Sequence, residues 1–76
     1  MKKKRKLVIG GVYRHFKGYV MKVLCEAKDS ETKNDVVVYI HLDDGRIWIR
    51  SKKMFLERIT RGGKEFYRFE LVKENG

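Results

Sequence analysis

The chain has 76 residues and a formal net charge of +9 at pH 7. A chain of this length has room for one domain with a thin core, so a shallow surface site is easier to build than a deep pocket. Its single cysteine, Cys25, excludes an internal disulfide and favours a reducing compartment, and no apolar run approaches the ~20 residues of a transmembrane helix. We therefore expect a cytoplasmic protein without a membrane partner.

The positive charge is concentrated at the N-terminus. Residues 2–6 are all lysine or arginine, and the rest of the chain carries 14 basic and 10 acidic residues, a formal charge of only +4. Such a run attracts phosphates and anionic surfaces regardless of sequence, but it is more often a solvated arm. The sequence predicts a disordered basic arm at residues 1–6 and a single domain at residues 7–76.

From residue 7 onward the pattern is typical of short strands separated by turns. The predicted strands are residues 12–17, 19–28, 36–42, 46–50, 55–60 and 65–72. Residues 43–45 and 61–64 have the composition of hairpin turns, and Ser51 can cap one helical turn over 52–54. In the second strand the alternation places Met21, Val23 and Cys25 on the inward face.

Six short strands in so small a chain cannot form an open sheet with both faces in water. We therefore expect an all-β, mainly antiparallel fold, either a small SH3-like barrel or a strongly bent sheet of about five to six strands. At most one short helical turn is predicted. An OB-like barrel is the alternative.

Seven short blocks stand in a distinctive order along the chain. They are Tyr13-Arg14-His15-Phe16-Lys17-Gly18, Val23-Leu24, Asp29-Ser30-Glu31-Thr32, Val37-Val38-Tyr39, Trp48-Ile49-Arg50, Met54-Phe55 and Arg68-Phe69. Together they resemble the bacterial domain-of-unknown-function family 1653, over residues 10–72. The chain departs from the expected family pattern at Ser51 and Tyr67, where we expect proline. The resemblance implies a compact bacterial cytosolic domain and no particular activity.

Trp48 is the first candidate binding residue. It shares a strand face with Arg46 and Arg50, while the neighbouring isoleucines take the opposite face. An exposed ring between two arginines is a platform on which a base can stack while the charges hold phosphates. The alternative is that Trp48 points inward and anchors the core, which the cost of exposing tryptophan favours.

The first strand carries further candidates. Arg14 falls on the face of that strand where a core residue is expected, so it is either paired with a carboxylate or a ligand contact. Tyr13, His15 and Lys17 fall on the other face, which is either an ordinary wet surface or part of a binding surface. Two residues from other strands complete the predicted surface: Tyr39 and Arg68.

No pattern of a catalytic or metal site appears. The two histidines and Cys25 lack the short spacing of zinc ligands, and no phosphate-binding loop or nucleophile elbow is present. We therefore expect no enzyme activity, no metal and no cofactor.

Three functions remain as hypotheses. The first is binding of RNA or another polyanion through a basic, aromatic surface. The second is a protein-interaction or regulatory module whose groove contains Tyr13, Tyr39 and Trp48. The third is a small enzyme, which requires Arg14, His15 and Arg50 to converge on one cleft.

Overall fold

A computed structural model describes residues 5–75 as seven strands and one short helix. The elements are β1 (Val12–His15), β2 (Val20–Lys28), β3 (Asp35–His41), β4 (Ile47–Ser51), α1 (Lys52–Phe55), β5 (Arg58–Arg61), β6 (Lys64–Tyr67) and β7 (Phe69–Lys73). Five strands form an antiparallel sheet in the order β4-β3-β2-β1-β7, and β5 pairs with β6 in a separate hairpin. No helix in this part of the chain is long or apolar enough to cross a membrane.

The predicted fold class is confirmed in its bent-sheet form. Within residues 5–75 the sheet does not close into a barrel, because its two end strands, β4 and β7, do not pair with each other. Neither an SH3-like nor an OB-like closed barrel is therefore formed. The short helix is the one predicted, and Ser51 caps it by accepting a hydrogen bond from the Met54 N–H at 3.1 Å.

The core lies on one face of the five-stranded sheet, which we call the inner face. Its fully buried side chains come from four strands and α1: Tyr13, Met21, Val23, Val37, Phe55 and Phe69. The rings of Phe55 and Phe69 stack with centroids 4.2 Å apart, so α1 is held against β7 by aromatic contact. Burying each such ring stabilises the fold by about 1.5–3 kcal/mol.

The two faces of β1 are the reverse of the prediction. Tyr13 and His15 are buried on the inner face, whereas Arg14 is exposed and pairs with Glu70 at 3.1 Å. Tyr13 can be buried because its hydroxyl accepts a hydrogen bond from the Val8 N–H at 3.0 Å, so its one polar group is satisfied. The pairing of Arg14 with a carboxylate is one of the two alternatives that the sequence left open.

The predicted inward position of Cys25 is also wrong. Met21 and Val23 are buried as expected, but the pairing of β2 with β3 shifts between Val23 and Cys25. The extra residue of this β-bulge, Leu24, reverses which side chains face inward beyond it. Cys25 is therefore exposed, on the outer face of the sheet.

The predicted last strand is divided in two at Arg68. β6 pairs only with β5, and β7 continues on the other side of the break as the neighbour of β1. The backbone of Arg68 joins the two parts of the fold, since its N–H donates to the Glu57 carbonyl (3.1 Å) and its carbonyl accepts from the Phe16 N–H (3.0 Å).

Part of the predicted basic arm lies outside the described residues. Its first four residues belong to that part. Arg5, in contrast, contacts the folded domain. Its guanidinium donates to the Phe69 carbonyl at 2.8 Å and lies 3.7 Å from the centroid of the Tyr67 ring.

A candidate binding cleft

A cleft of about 380 Å³ opens on the inner face of the sheet, at the end away from α1. Strands β1 to β4, the β1–β2 turn and the β6–β7 junction all contribute to it. Its lining residues are His15, Phe16, Lys17, Tyr19, Met21, Tyr39, His41, Trp48, Arg50, Arg68 and Phe69. The lining contains aromatic and basic side chains and no carboxylate.

Three rings in succession form the rim of the cleft. The His41 ring lies between Tyr19 and Trp48, with centroids 6.0 Å and 5.9 Å away. Tyr19 is 52% exposed and Trp48 is 47% exposed, so both offer a ring to a ligand. Trp48 thus points to the inner face, as one of the two alternatives required, and the neighbouring Ile47 and Ile49 are exposed. It lines the cleft and does not belong to the core. Tyr39 lies beneath His41, 5.9 Å from it, and is buried.

Arg50 lies deeper in the cleft than these rings. Its Cζ is 5.4 Å from the centroid of the buried Phe69 ring. Its Nε is inaccessible to solvent, and no acceptor for it exists among residues 5–75. A buried cationic donor without an acceptor is costly, and proteins ordinarily pair such groups. Arg50 is thus a positive charge with unused hydrogen-bonding capacity.

The other cations of the cleft are held differently. Arg68 pairs with Glu57, its Nε and Nη2 each 2.8 Å from the same Oε1. Lys17 is exposed at the rim and has no carboxylate within ion-pair distance among the described residues. The cleft therefore keeps a net positive charge after internal pairing, with Arg50 at its base.

His15 is an uncharged donor beside Arg50. Burial of the ring lowers the pKa of His15, and the positive charge of Arg50 lowers this pKa further. The Lys17 N–H donates to Nδ1 at 3.1 Å, so the neutral imidazole carries its proton on Nε2. The ring packs edge-on against Phe69, with centroids 4.9 Å apart, which fixes its orientation.

A group of oxygen and nitrogen ligands also occurs at the β3–β4 turn. Ligand atoms of His41, Asp43 and Asp44 lie within 4.8 Å of one another. Both carboxylates are exposed, and each accepts a hydrogen bond from the turn backbone, at 2.7 Å from Asp44 N–H and 2.9 Å from Arg46 N–H. The requirements of the turn explain both aspartates.

The structure brings six of the predicted site residues to the cleft: His15, Lys17, Tyr39, Trp48, Arg50 and Arg68. Three predicted site residues lie elsewhere. Tyr13 is buried in the core, Arg14 is on the outer face, and Arg46 lies beside Asp44 in the β3–β4 turn, with Nε–Oδ2 at 3.9 Å. Sequence reasoning missed two residues of the cleft: Tyr19, and His41, which it considered only as a possible metal ligand.

A second depression, of about 830 Å³, lies beside α1. The described residues of its lining include no aromatic ring. Two of its four charged residues are paired within the fold, whereas Arg5 and Lys53 have no carboxylate within ion-pair distance among residues 5–75. Lys52 pairs with Glu26, and Asp35 pairs with Lys28 at 2.9 Å. The aromatic rings, and not an unpaired cation, therefore distinguish the cleft on the inner face from this depression.

Fold and cleft together define a class of protein: a small domain built on one bent antiparallel sheet, with a basic, aromatic cleft on its inner face. The family model "Protein of unknown function (DUF1653)" matches residues 11–71. The chain belongs to this family, as the order of its sequence blocks predicted.

A solved structure has the same fold. The crystal structure of a protein of the same family from Bordetella bronchiseptica is similar with a TM-score of 0.75 and 33% sequence identity, over 84% of this chain and 86% of that one. No curated protein matches the chain at a significant level.

Proposed function

We propose that this protein is a cytoplasmic binding module for single-stranded nucleic acid, with RNA as the first ligand to test, and that the cleft on the inner face is its binding site. The observation that carries the proposal is Arg50. Arg50 has no carboxylate within ion-pair distance among residues 5–75, and it lines a cleft of aromatic rings in which no described residue carries a carboxylate. A ligand with a phosphate and a planar ring satisfies both features at once.

Each component of such a ligand has a counterpart in the cleft. The guanidinium of Arg50 can form two parallel hydrogen bonds to phosphate oxygens. The exposed rings of Tyr19 and Trp48 can stack against a base, an interaction worth about 1–3 kcal/mol per base and tolerant of sequence. Lys17 adds a positive charge at the rim, where a neighbouring phosphate would lie.

The protein-interaction hypothesis is less well supported by this geometry. Its groove required Tyr13, which is buried, and Tyr39, which lies beneath His41. Trp48 alone of those three rings is available to a peptide. A net positive cleft without a carboxylate also favours an anionic ligand over a neutral peptide.

A catalytic role also has little support. His15 and Arg50 share the cleft, but Arg14, the third residue that the enzyme hypothesis required, pairs with Glu70 on the opposite face. Beside its two histidines, the described lining of the cleft contains no serine or cysteine nucleophile and no carboxylate. We therefore propose binding without catalysis.

The test is a salt titration of binding to a pool of labelled single-stranded RNA, read by fluorescence anisotropy. The variants are Arg50→Ala and Trp48→Ala in the full chain. Arg46→Ala is the matched control, because it removes the same charge from the β3–β4 turn, next to β4 and outside the cleft lining. A third chain with lysines 2, 3 and 4 changed to alanine measures the contribution of the arm.

We expect affinity to fall with salt, and Arg50→Ala and Trp48→Ala each to weaken binding about tenfold, corresponding to roughly 1.4 kcal/mol. Arg46→Ala should change it less than about twofold. Equal losses of affinity for Arg46→Ala and Arg50→Ala would mean that binding depends on the overall positive charge of the protein and not on the cleft. If binding is lost when the three arm lysines are changed, and Trp48→Ala has no effect, the cleft is not the binding site.

A further inference from the structure

The cation and the rings of the cleft lie at different depths. Arg50 has its Nε shielded from solvent and its Cζ against the buried ring of Phe69, at the base of the cleft. Tyr19 and Trp48, about half exposed, lie at the rim. A ligand that uses both features must therefore enter with its anionic group first and leave its planar group at the opening.

A ligand that enters phosphate first and leaves its base at the opening matches the end of a nucleic acid strand better than its interior. An internal phosphodiester is flanked by a sugar on each side, so bringing it to the base of a small cleft requires both sugars to enter. The cleft of about 380 Å³ lies near the lower limit of the roughly 300–1,000 Å³ range of small-molecule pockets. This volume accommodates one nucleotide-sized group.

The donors at the base also fit a terminal phosphate. Arg50 offers a planar fork of N–H groups, and His15 offers Nε2–H, because its Nδ1 already accepts from the Lys17 backbone. A terminal phosphate monoester carries about 1.5 to 2 negative charges at pH 7 and three free oxygens. An internal phosphodiester has one charge and only two free oxygens to share among these donors.

We propose that the cleft binds a terminal phosphate monoester attached to a nucleoside, with the phosphate on Arg50 and His15 and the base at the ring of Trp48. This inference rests on the proposed function and specifies its ligand. The same chemistry occurs on a free nucleoside monophosphate and on the phosphorylated end of a strand, and the experiment below separates these two sources.

The experiment compares oligonucleotides of one sequence on the full-length protein. The ligands have a 5′-phosphate, a 3′-phosphate or hydroxyls at both ends, and a fourth is closed into a circle. A nucleoside monophosphate and the matching nucleoside are used as unlabelled competitors. Arg50→Lys, which keeps the charge and removes the fork, is compared with Arg46→Lys, and circular dichroism checks that both variants are folded.

We expect one phosphorylated end to bind at least about tenfold more tightly than the hydroxyl ends and the circle, since one good charge-assisted pair is worth roughly that factor. Arg50→Lys should abolish this preference, and Arg46→Lys should retain it. Competition by the monophosphate as strong as that of the phosphorylated strand would identify the nucleotide itself as sufficient. Weaker competition would show that the strand beyond the first nucleotide contributes.

Two results would overturn the inference. Equal affinity for phosphorylated, hydroxyl and circular strands would mean that the cleft binds internal segments, and the proposed nucleic-acid function would survive. Absence of binding to every oligonucleotide would refute the proposed function together with the inference.

Discussion

The guanidinium of Arg50 lies over the ring of Phe69, with its Cζ 5.4 Å from the ring centroid. Phe69 is itself stacked on Phe55 from α1, so the cation lies against a pair of stacked core rings. Contact with the ring face offsets part of the cost of burying the charge. The ring contact does not supply a hydrogen-bond acceptor for Nε, and no carboxylate pairs with the guanidinium among residues 5–75. We therefore infer that Arg50 serves ligand binding and not stability.

Replacing Arg50 with methionine should therefore stabilise the free protein while abolishing binding. Methionine keeps an unbranched side chain of similar length and removes the unsatisfied donor, whose burial costs about 1–3 kcal/mol. We expect the free energy of unfolding in urea to rise by about 1 kcal/mol. Arg46→Met, at an exposed position, should change it by less than about 0.5 kcal/mol. A loss of stability in Arg50→Met would show that the arginine serves the fold.

The reversed faces of β1 can be tested with neighbouring substitutions. Tyr13→Ala removes a buried ring and should cost about 3–5 kcal/mol of unfolding free energy, as aromatic-to-alanine changes in cores do. Arg14→Ala breaks an exposed ion pair with Glu70 and should cost less than about 1 kcal/mol. Chemical denaturation of both variants measures the difference. Comparable losses would contradict the arrangement of β1.

The sequence predicted the strands and turns well because these depend on local chemistry. The hairpin between β5 and β6 is an example: Gly62 and Gly63 have φ values of 58° and 77°, which a two-residue turn of this kind requires and which glycine adopts without strain. Trp48 and Arg50 likewise lie on the same face of β4, as the two-residue period of a strand predicts.

Features that depend on tertiary contacts could not be predicted in this way. The hydropathy of β2 does not reveal the bulge at Leu24, because the bulge changes only the direction in which the side chains after it point. The sequence alone places Tyr13 at the surface, because its hydroxyl needs a hydrogen-bond partner if it is buried. That partner, the Val8 N–H, is identified only by the structure. His41 reaches the cleft through the register that places it opposite Met21, and this register involves two strands separated by a loop.

The reactivity of Cys25 tests the bulge, because the bulge places this side chain on the outer face of the sheet. Because Cys25 lies on the exposed outer face, a thiol reagent such as a disulfide-exchange chromophore should modify it fully in the native protein, without prior unfolding. Stopped-flow absorbance in the absence and presence of urea measures the two rates. A native rate lower by a factor of about 100 or more, limited by opening of the structure, would place the thiol in the core.

His15 should make the stability of the protein depend on pH. Its pKa is lowered in the folded state, so below the unfolded value of about 6.5 the unfolded chain binds more protons than the folded one. Stability should be unaffected by this group above that pH and should fall as the pH is lowered from 6.5, until the folded pKa has also been passed. Urea unfolding at intervals between pH 8 and 5 would measure this slope. His15→Gln should reduce it, and an unchanged slope would assign it to other groups.

Neutralising Glu57 should strengthen anion binding at the expense of stability. Glu57 holds Arg68 by a pair of 2.8 Å contacts in a partly buried position, and Arg68 lines the cleft. In Glu57→Gln the amide can keep a hydrogen bond to Arg68, but the cleft gains one net positive charge. We expect the affinity for single-stranded RNA to rise several-fold at low salt, with a steeper salt dependence, and the free energy of unfolding to fall by about 1–3 kcal/mol.

The matched control is Glu70→Gln, which makes the same change to the ion pair with Arg14 on the opposite face. It should raise affinity much less, because its distance from the cleft leaves the added charge screened by salt. An equal increase in the two variants would mean that net charge, and not the charge of the cleft, governs binding. A gain confined to Glu57→Gln would locate the bound phosphates beside Arg68.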